Sequence, residues 1–101
     1  MEEKQLIRSC LQGNTEDFKE IMEAYSPKAM AMAMNILSNR DDAEDACQEA
    51  FIRAYANLAR FDQEKSFKNW LYSILYRQCL DLLRRRRRTL VLLKKMQRES
   101  P

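Results

Sequence analysis

The sequence predicts an all-α fold, a compact bundle of three to five helices, and three observations carry that prediction. The chain has 101 residues with one Gly and two Pro, so the punctuation that sheets and their turns require is nearly absent. Hydrophobic residues make up 46% of it, enough for one core in a chain this short and not for a second domain. Between Asp41 and Ala59, the residues Ala43, Ala46, Cys47, Ala50, Phe51, Ala54, Tyr55 and Leu58 recur at the i, i+3, i+4, i+7 spacing of one helix face.

Taken in order, residues 2–11 form a short helix that Gly13-Asn14-Thr15 ends, with Asn14 or Thr15 as the cap of the next and Glu16 and Asp17 in its first turn. That second helix reads TEDFKEIMEAY. Ser26-Pro27 is expected to break it, because proline has no amide proton to donate, and to open a third helix running to about Ser38. Asn39-Arg40 is a turn, and the strongly periodic helix of Asp41 to Ala59 follows. Arg60 to Lys65 is a loop, and Ser66 caps a last helix that continues towards Lys95. Phe67, Trp70, Leu71, Ile74, Leu75 and Leu82 make its main apolar stripe, while Tyr72, Tyr76 and Leu83 lie roughly opposite.

Charge is unevenly divided. Residues 1–60 carry seven basic and eleven acidic side chains, and residues 61–101 carry eleven and four, so an acidic surface and a basic one are expected to meet different partners. Catalysis is excluded on residue types: there is no His, no glycine-rich phosphate loop, and no nucleophile beside a base. Asp41, Asp42, Glu44, Asp45 and Glu49 fall on several sides of one helix, so no metal and no cofactor is expected. Cys10, Cys47 and Cys79 are odd in number and far apart, which suits small buried groups in a reducing cytoplasm better than a disulfide framework. No apolar run reaches the roughly 20 residues that span a bilayer, and the acidic amino terminus lacks a signal-peptide core, so no membrane role is expected.

Two surfaces stand out. On the 41–59 helix, Asp42, Asp45, Glu49 and Arg53 share the face opposite the apolar one, and Ile52 lies exposed among them. An apolar side chain ringed by charges is the pattern of a small interface spot for a basic partner. The run Arg84, Arg85, Arg86, Arg87 and Arg88 winds right round its helix, and a phosphate backbone relieves the mutual repulsion better than a membrane surface or plain water. Upstream of it, Phe61, Phe67, Trp70, Tyr72 and Tyr76 are interleaved with Lys65, Lys68 and Arg77, a mixture suited to single-stranded nucleic acid.

Three segments in this order resemble region 2 of the extracytoplasmic-function sigma factors over about residues 10–88: D-A-E-D-x-x-Q-E-x-F at Asp42 to Phe51, F-D-x-x-x-S-F-x-x-W-L-Y at Phe61 to Tyr72, and D-x-L-R-R-R-R at Asp81 to Arg87. The resemblance implies a transcription initiation factor whose Asp42 to Ala59 helix docks on the clamp coiled coil of the largest subunit of core RNA polymerase. Asp45, Gln48, Glu49 and Arg53 would make that contact, with Asp42 and Ile52 beside them. It further implies that the Phe61 to Ser66 loop and the helix after it read the minus-ten promoter element, capturing a flipped base of the non-template strand and keeping the strand melted. Lys65, Ser66, Lys68, Asn69, Tyr72 and Tyr76 surround that turn. The family's anti-sigma proteins are a further class of partner that it admits.

This chain departs from the W-L-Y-R-I-A-x-N pattern common in the family, with Ser73 where many members have Arg and Arg77 where they have Asn. The base contact of that Asn does not carry over, and Arg77 is expected to supply a guanidinium contact instead. Such factors also contain a helix-turn-helix region 4 that is absent here, so residues 1–88 are read as the region 2 domain and 89–101 as the start of a linker or helical tail. The alternative is a helical protein-interaction module whose basic tail binds nucleic acid without promoter function. A helix-turn-helix repressor is weaker still, for want of a three-to-four-residue turn near the basic segment.

Overall fold

The computed structural model describes residues 2–99 and comprises four α-helices: α1 Glu3–Leu11, α2 Glu16–Leu37, α3 Arg40–Ala56 and α4 Phe67–Glu99, with one turn of 3-10 helix, Leu58–Arg60, before the α3–α4 loop. Gly13, with φ 104°, takes the left-handed conformation that ends α1. Thr15 occupies the cap position of α2 without a side-chain hydrogen bond, and Asn14 donates its amide to the Ser9 hydroxyl at 3.0 Å instead of capping. Ser9 in turn donates to Asp17, and Tyr25 to Glu3, so α1 is strapped to α2 at both ends.

The break expected at Ser26-Pro27 does not occur. α2 runs through Pro27 as a single helix of 22 residues. An interior proline costs about 3 kcal/mol, and burial on both sides of it outweighs that cost. Phe18 and Ile21 before it and Ala29 and Ala33 after it are all buried on one continuous face, whereas Pro27 itself faces solvent. The Ser26 hydroxyl donates to the Met22 carbonyl at 2.7 Å, a bond that helices tolerate at such a site.

Asn39 caps α3, its side chain accepting from the Asp42 amide at 2.9 Å. α3 packs between α2 and α4. Ala29 and Ala33 of α2 and Ala43, Ala50 and Ala54 of α3 are almost wholly buried, and their small side chains let the helices approach closely. Leu6, Ile7, Phe51, Leu58, Phe67, Leu71 and Leu75 complete the single core. All three cysteines lie in it; burial, and then the neighbouring Cys79, pushes the Cys47 thiol up to about 11, which keeps it protonated and unreactive at neutral pH.

At 33 residues α4 is about 50 Å long, and it sets the long axis of a 63 × 23 × 22 Å molecule. Its first half packs in the bundle, and every described residue from Arg84 onward is exposed. Of the expected 89–101 tail, residues 89–99 are therefore helix, continuous with α4, while Ser100, Pro101 and the first residue, Met1, lie outside the described residues.

Candidate protein and nucleic-acid interfaces

The outer face of α3 carries Asp45, Gln48, Glu49 and Ile52, all exposed, with Ile52 61% accessible. An isoleucine left that open, on the side of α3 opposite the buried Ala43, Cys47, Ala50 and Ala54, contributes little to the core. Glu49 pairs with Arg53 at 3.0 Å along the helix surface. Asp42 departs from the expected face. It turns towards α4, where Arg86 donates to it at 2.5 Å and leaves its side chain 14% exposed. An aspartate so occupied holds α4 against the start of α3 and is not free to meet a partner.

The α3–α4 loop is pinned by its own hydrogen bonds. Asp62 accepts from the Glu64 amide through its carboxylate at 3.0 Å and from the Lys65 amide through its carbonyl at 2.9 Å. Ser66 caps α4 as expected, accepting from the Asn69 amide at 3.1 Å. Between this loop and the first turn of α4 lies an open cleft of about 580 Å³, lined by Arg60, Phe61, Asp62, Lys65, Ser66, Asn69 and Trp70. That volume falls in the range of sites that take small ligands or single bases.

Of three further residues expected at this site, one is a wall of the cleft and two are turned elsewhere. Phe61 is 8% exposed, its ring tilted at 38° against Trp70 with centroids 4.9 Å apart and edge-on to Phe67 at 5.5 Å, so it forms a wall of the cleft and belongs to the core. Tyr72 packs edge-on against Tyr25 of α2 at 6.0 Å, and its hydroxyl is buried without a hydrogen bond; burial raises its pKa. Lys68 lies on the α1 side, in a smaller cleft with Glu3, Lys4 and Ile7. The common cause is the direction of α4, whose first turn presents one side to the loop and the other to α1 and α2.

Lys65, Ser66 and Asn69 do come together at the loop cleft. From Asn69, at about 100° per residue, Ser73, Tyr76 and Arg77 continue along the exposed side of α4. Tyr76 is 49% exposed and free to stack, and the Ser73 hydroxyl is occupied by the Trp70 carbonyl at 2.7 Å. The same side then reaches Arg84, Arg87 and Arg88, whereas Arg85 and Arg86 face α3: Arg85 lines a cleft with Asp45 and Glu49, and Arg86 holds Asp42. The five-arginine run is thus divided between an outward basic stripe, in which Arg84 pairs with Asp81 at 3.3 Å, and a side turned to α3 that holds Asp42. Arg60 is a cleft residue that the sequence alone does not single out, although it directly precedes the F-D motif, and Trp70, one of the aromatic residues interleaved with cations in the sequence, lines the cleft beside it.

The Sigma-70 region 2 family matches residues 21–89, from the second turn of α2 to the start of the projecting half of α4. The chain belongs to that family. Sigma-70 region 2 membership agrees with the three ordered motifs and with the all-helical class, and the interaction-module alternative is not favoured. Among relatives, the chain is 36% identical over 84 residues to the ECF RNA polymerase sigma factor SigW of Bacillus subtilis, covering 83% of this chain and 45% of SigW. It is 39% identical over 67 residues to a probable RNA polymerase sigma factor of Haemophilus influenzae, covering 66% and 34%. It therefore spans less than half the length of these relatives. A solved structure, the NMR complex of an engineered region 2 of sigmaE with GTAAAA, superposes with a TM-score of 0.83 at 28% identity, over 89% of this chain and 94% of that one. No helix among the described residues is long and apolar enough to cross a membrane.

Proposed function

We infer that this chain acts in the bacterial cytoplasm as the promoter-melting part of an initiation factor, a binding role and not a catalytic one. α3 docks on the clamp coiled coil of core RNA polymerase through Asp45, Gln48, Glu49, Ile52 and Arg53. The loop cleft takes a flipped base of the non-template minus-ten strand, Tyr76 stacks on a neighbour, and the strand follows α4 towards Arg84, Arg87 and Arg88. Residues 1–88 serve as the region 2 domain, and the helix beyond leads into whatever follows region 2. The observation that carries this reading is the match over 89% of the chain to a sigma region 2 that binds GTAAAA, together with an open cleft where a base would enter. Flipping a base costs a few kcal/mol, which stacking at about 1–3 kcal/mol per base and cleft contacts can offset.

Titration of labelled GTAAAA and its single-base variants, and separately of purified core polymerase, tests both halves. Tight binding of core with graded preference among the strands is expected; indifference to every strand together with no affinity for core would leave only the fold. Replacing Arg84, Arg87 and Arg88 with Ala should weaken all the strands alike and make the log-log salt dependence shallower by about 0.7 for each phosphate contact removed. The paired replacement of Arg85 and Arg86 should leave that slope nearly as it was, since these two face α3. Equal slopes for the two sets would place the strand off this side of α4.

A further inference from the structure

α4 extends about 20 Å beyond Arg86, the last described residue whose side chain is held by another helix, through Asp42 in the first turn of α3. Leu90, Val91, Leu92, Leu93 and Met96 lie on that extension, from 50% exposed for Leu93 to 67% for Val91. At about 100° per residue, Leu90 and Leu93 fall within about 60° of Leu75, on the side that Leu71, Leu75 and Cys79 bury in the core. Leu92 and Met96 widen that side along one edge. The core-facing stripe of α4 thus continues past the start of α3, where no helix among the described residues covers it. A contiguous apolar face rimmed by charge marks an interaction site in a small chain.

The charges on the same extension point to the kind of partner. Between Arg84 and Glu99 stand eight basic side chains and one acidic. Lys94 and Arg98 border the apolar side next to Leu90, and Arg84, Arg88 and Lys95 lie opposite it. No ion pair among the described residues engages Lys94, Lys95 or Arg98.

We propose that the corner between the end of the bundle and the core-facing side of residues 90–97 is a docking site for an acidic amphipathic α-helix of a partner protein. Its apolar seam covers Leu90, Leu93 and Met96, and carboxylates along its edge meet Lys94 and Arg98. A helix seated there extends the layer of α3 end to end, at the spacing of about 8–10 Å between axes that helix packing gives. The geometry decides among occupants. A bilayer is flat, and the bundle stands on the same side of α4 as Leu90 and Leu93, so a membrane surface is held away from them. A second copy sets one basic segment against another and brings two bundles into one corner. A nucleic-acid strand is drawn to the outward side, to Arg84, Arg87 and Arg88, and offers the leucines nothing to pack on. The site therefore leaves the outward stripe open, and it does not rest on the promoter-binding role.

The probe is a synthetic helical peptide of about three heptads, with Leu at its a and d positions and Glu along both edges, whose like charges hold its own copies apart. A peptide with the same seam and Lys edges is the control. Each is labelled, and its fluorescence anisotropy is followed as the full chain is titrated in. The Glu-edged peptide should bind and the Lys-edged one should not. Leu90→Gln with Leu93→Gln should weaken binding roughly tenfold or more, since two apolar anchors no longer leave water. Lys94→Glu with Arg98→Glu should weaken it comparably and bring up binding of the Lys-edged peptide. Val91→Gln should change neither, because Val91 faces outward although it is the most exposed of the group. All these positions are exposed, and Gln and Glu are good helix formers, so melting temperatures should stay close to that of the wild type. No binding of the Glu-edged peptide, equal binding of both peptides, or an equal loss in Val91→Gln would overturn the proposal. So would a dimer of the chain alone that Leu90→Gln with Leu93→Gln dissociates, which assigns the face to a second copy. Cosedimentation with phosphatidylglycerol vesicles that the same variant loses would assign it to a lipid surface and overturn the proposal equally. No step uses DNA, so failure of the DNA-binding role leaves this test as it stands.

Discussion

Asp45→Arg combined with Glu49→Arg is expected to abolish association with core RNA polymerase while leaving the melting temperature close to that of the wild type. Both side chains are exposed on α3, flanking Ile52, and although they also border the cleft lined by Arg85 of α4, like charges at so open a position are screened by solvent and salt. The double change breaks the surface ion pair of Glu49 with Arg53, whose side chains are 47% and 57% exposed; a pair that open contributes about 0–1 kcal/mol. At an interface with a basic partner the same change brings like charges together, which costs several kcal/mol and takes an ordinary complex out of the measurable range. Ile52→Ala should have a smaller effect of about 1 kcal/mol, roughly a fivefold weaker affinity. Asp42→Arg provides the contrast, because it breaks the ion pair with Arg86 and sets two like charges against each other, and so should lower stability before it lowers docking. Surface-immobilised core polymerase titrated with each variant, beside circular dichroism melts, separates these effects. If the double charge reversal binds core as the wild type does, α3 is not the docking helix.

Helix positions are largely legible in the sequence because periodicity and caps are local. The apolar spacing of α3, the Asn39 turn and the Ser66 cap each depend on residues no more than a few places apart, and the structure places all three where the sequence predicts them. Pro27 misleads because its local cost is set against the burial of Phe18, Ile21, Ala29 and Ala33 of the same helix by packing against the other helices, which no window of sequence contains. The site is legible in kind and less so in membership. An aromatic residue near a loop serves equally well as a stacking platform or as core: Phe61, in the loop, is drawn into the core by Phe67 and Trp70 of α4, and Tyr72 lies on the side of α4 that packs against Tyr25 of α2. Asp42 and Arg86 lie 44 residues apart, so that nothing in either motif announces that one neutralises the other. Arg53, Arg60 and Arg77 likewise come from α3, the 3-10 turn and α4, and only the packing of those elements brings them round one surface cleft.

Phe67→Ala should be the most damaging single substitution to the nucleic-acid site, and it should act through the fold. Phe67 opens α4, is buried, and lies 5.6 Å from Tyr25, 5.5 Å from Phe61 and 5.7 Å from Trp70 between ring centroids. It therefore joins α2, the loop and α4 at one point. Removing a buried phenyl ring costs about 3–5 kcal/mol in forfeited transfer energy and cavity, against a total of about 5–15 kcal/mol for a typical domain. For a chain of this size a destabilisation of that order lowers the melting temperature by roughly 15 °C or more. The consequence for function is uneven. Phe61 and Trp70 form the wall of the loop cleft and both lean on Phe67, so the cleft should relax and strand affinity fall even at temperatures where the variant is folded. The outer face of α3 is carried by Ala43, Ala50 and Ala54 packed in the core and should keep its affinity for core polymerase under the same conditions. Phe67→Leu, which refills much of the volume, should recover most of the stability and only part of the strand binding, because a branched aliphatic side chain fills the hole without giving Phe61 and Trp70 a flat ring to pack on. Melts of both variants, with strand and polymerase titrations in the cold, well below either melting transition, decide the matter: a Phe67→Ala protein that melts within a few degrees of wild type, or that loses polymerase and strand binding in equal measure, would show that the aromatic cluster does not specifically support the cleft.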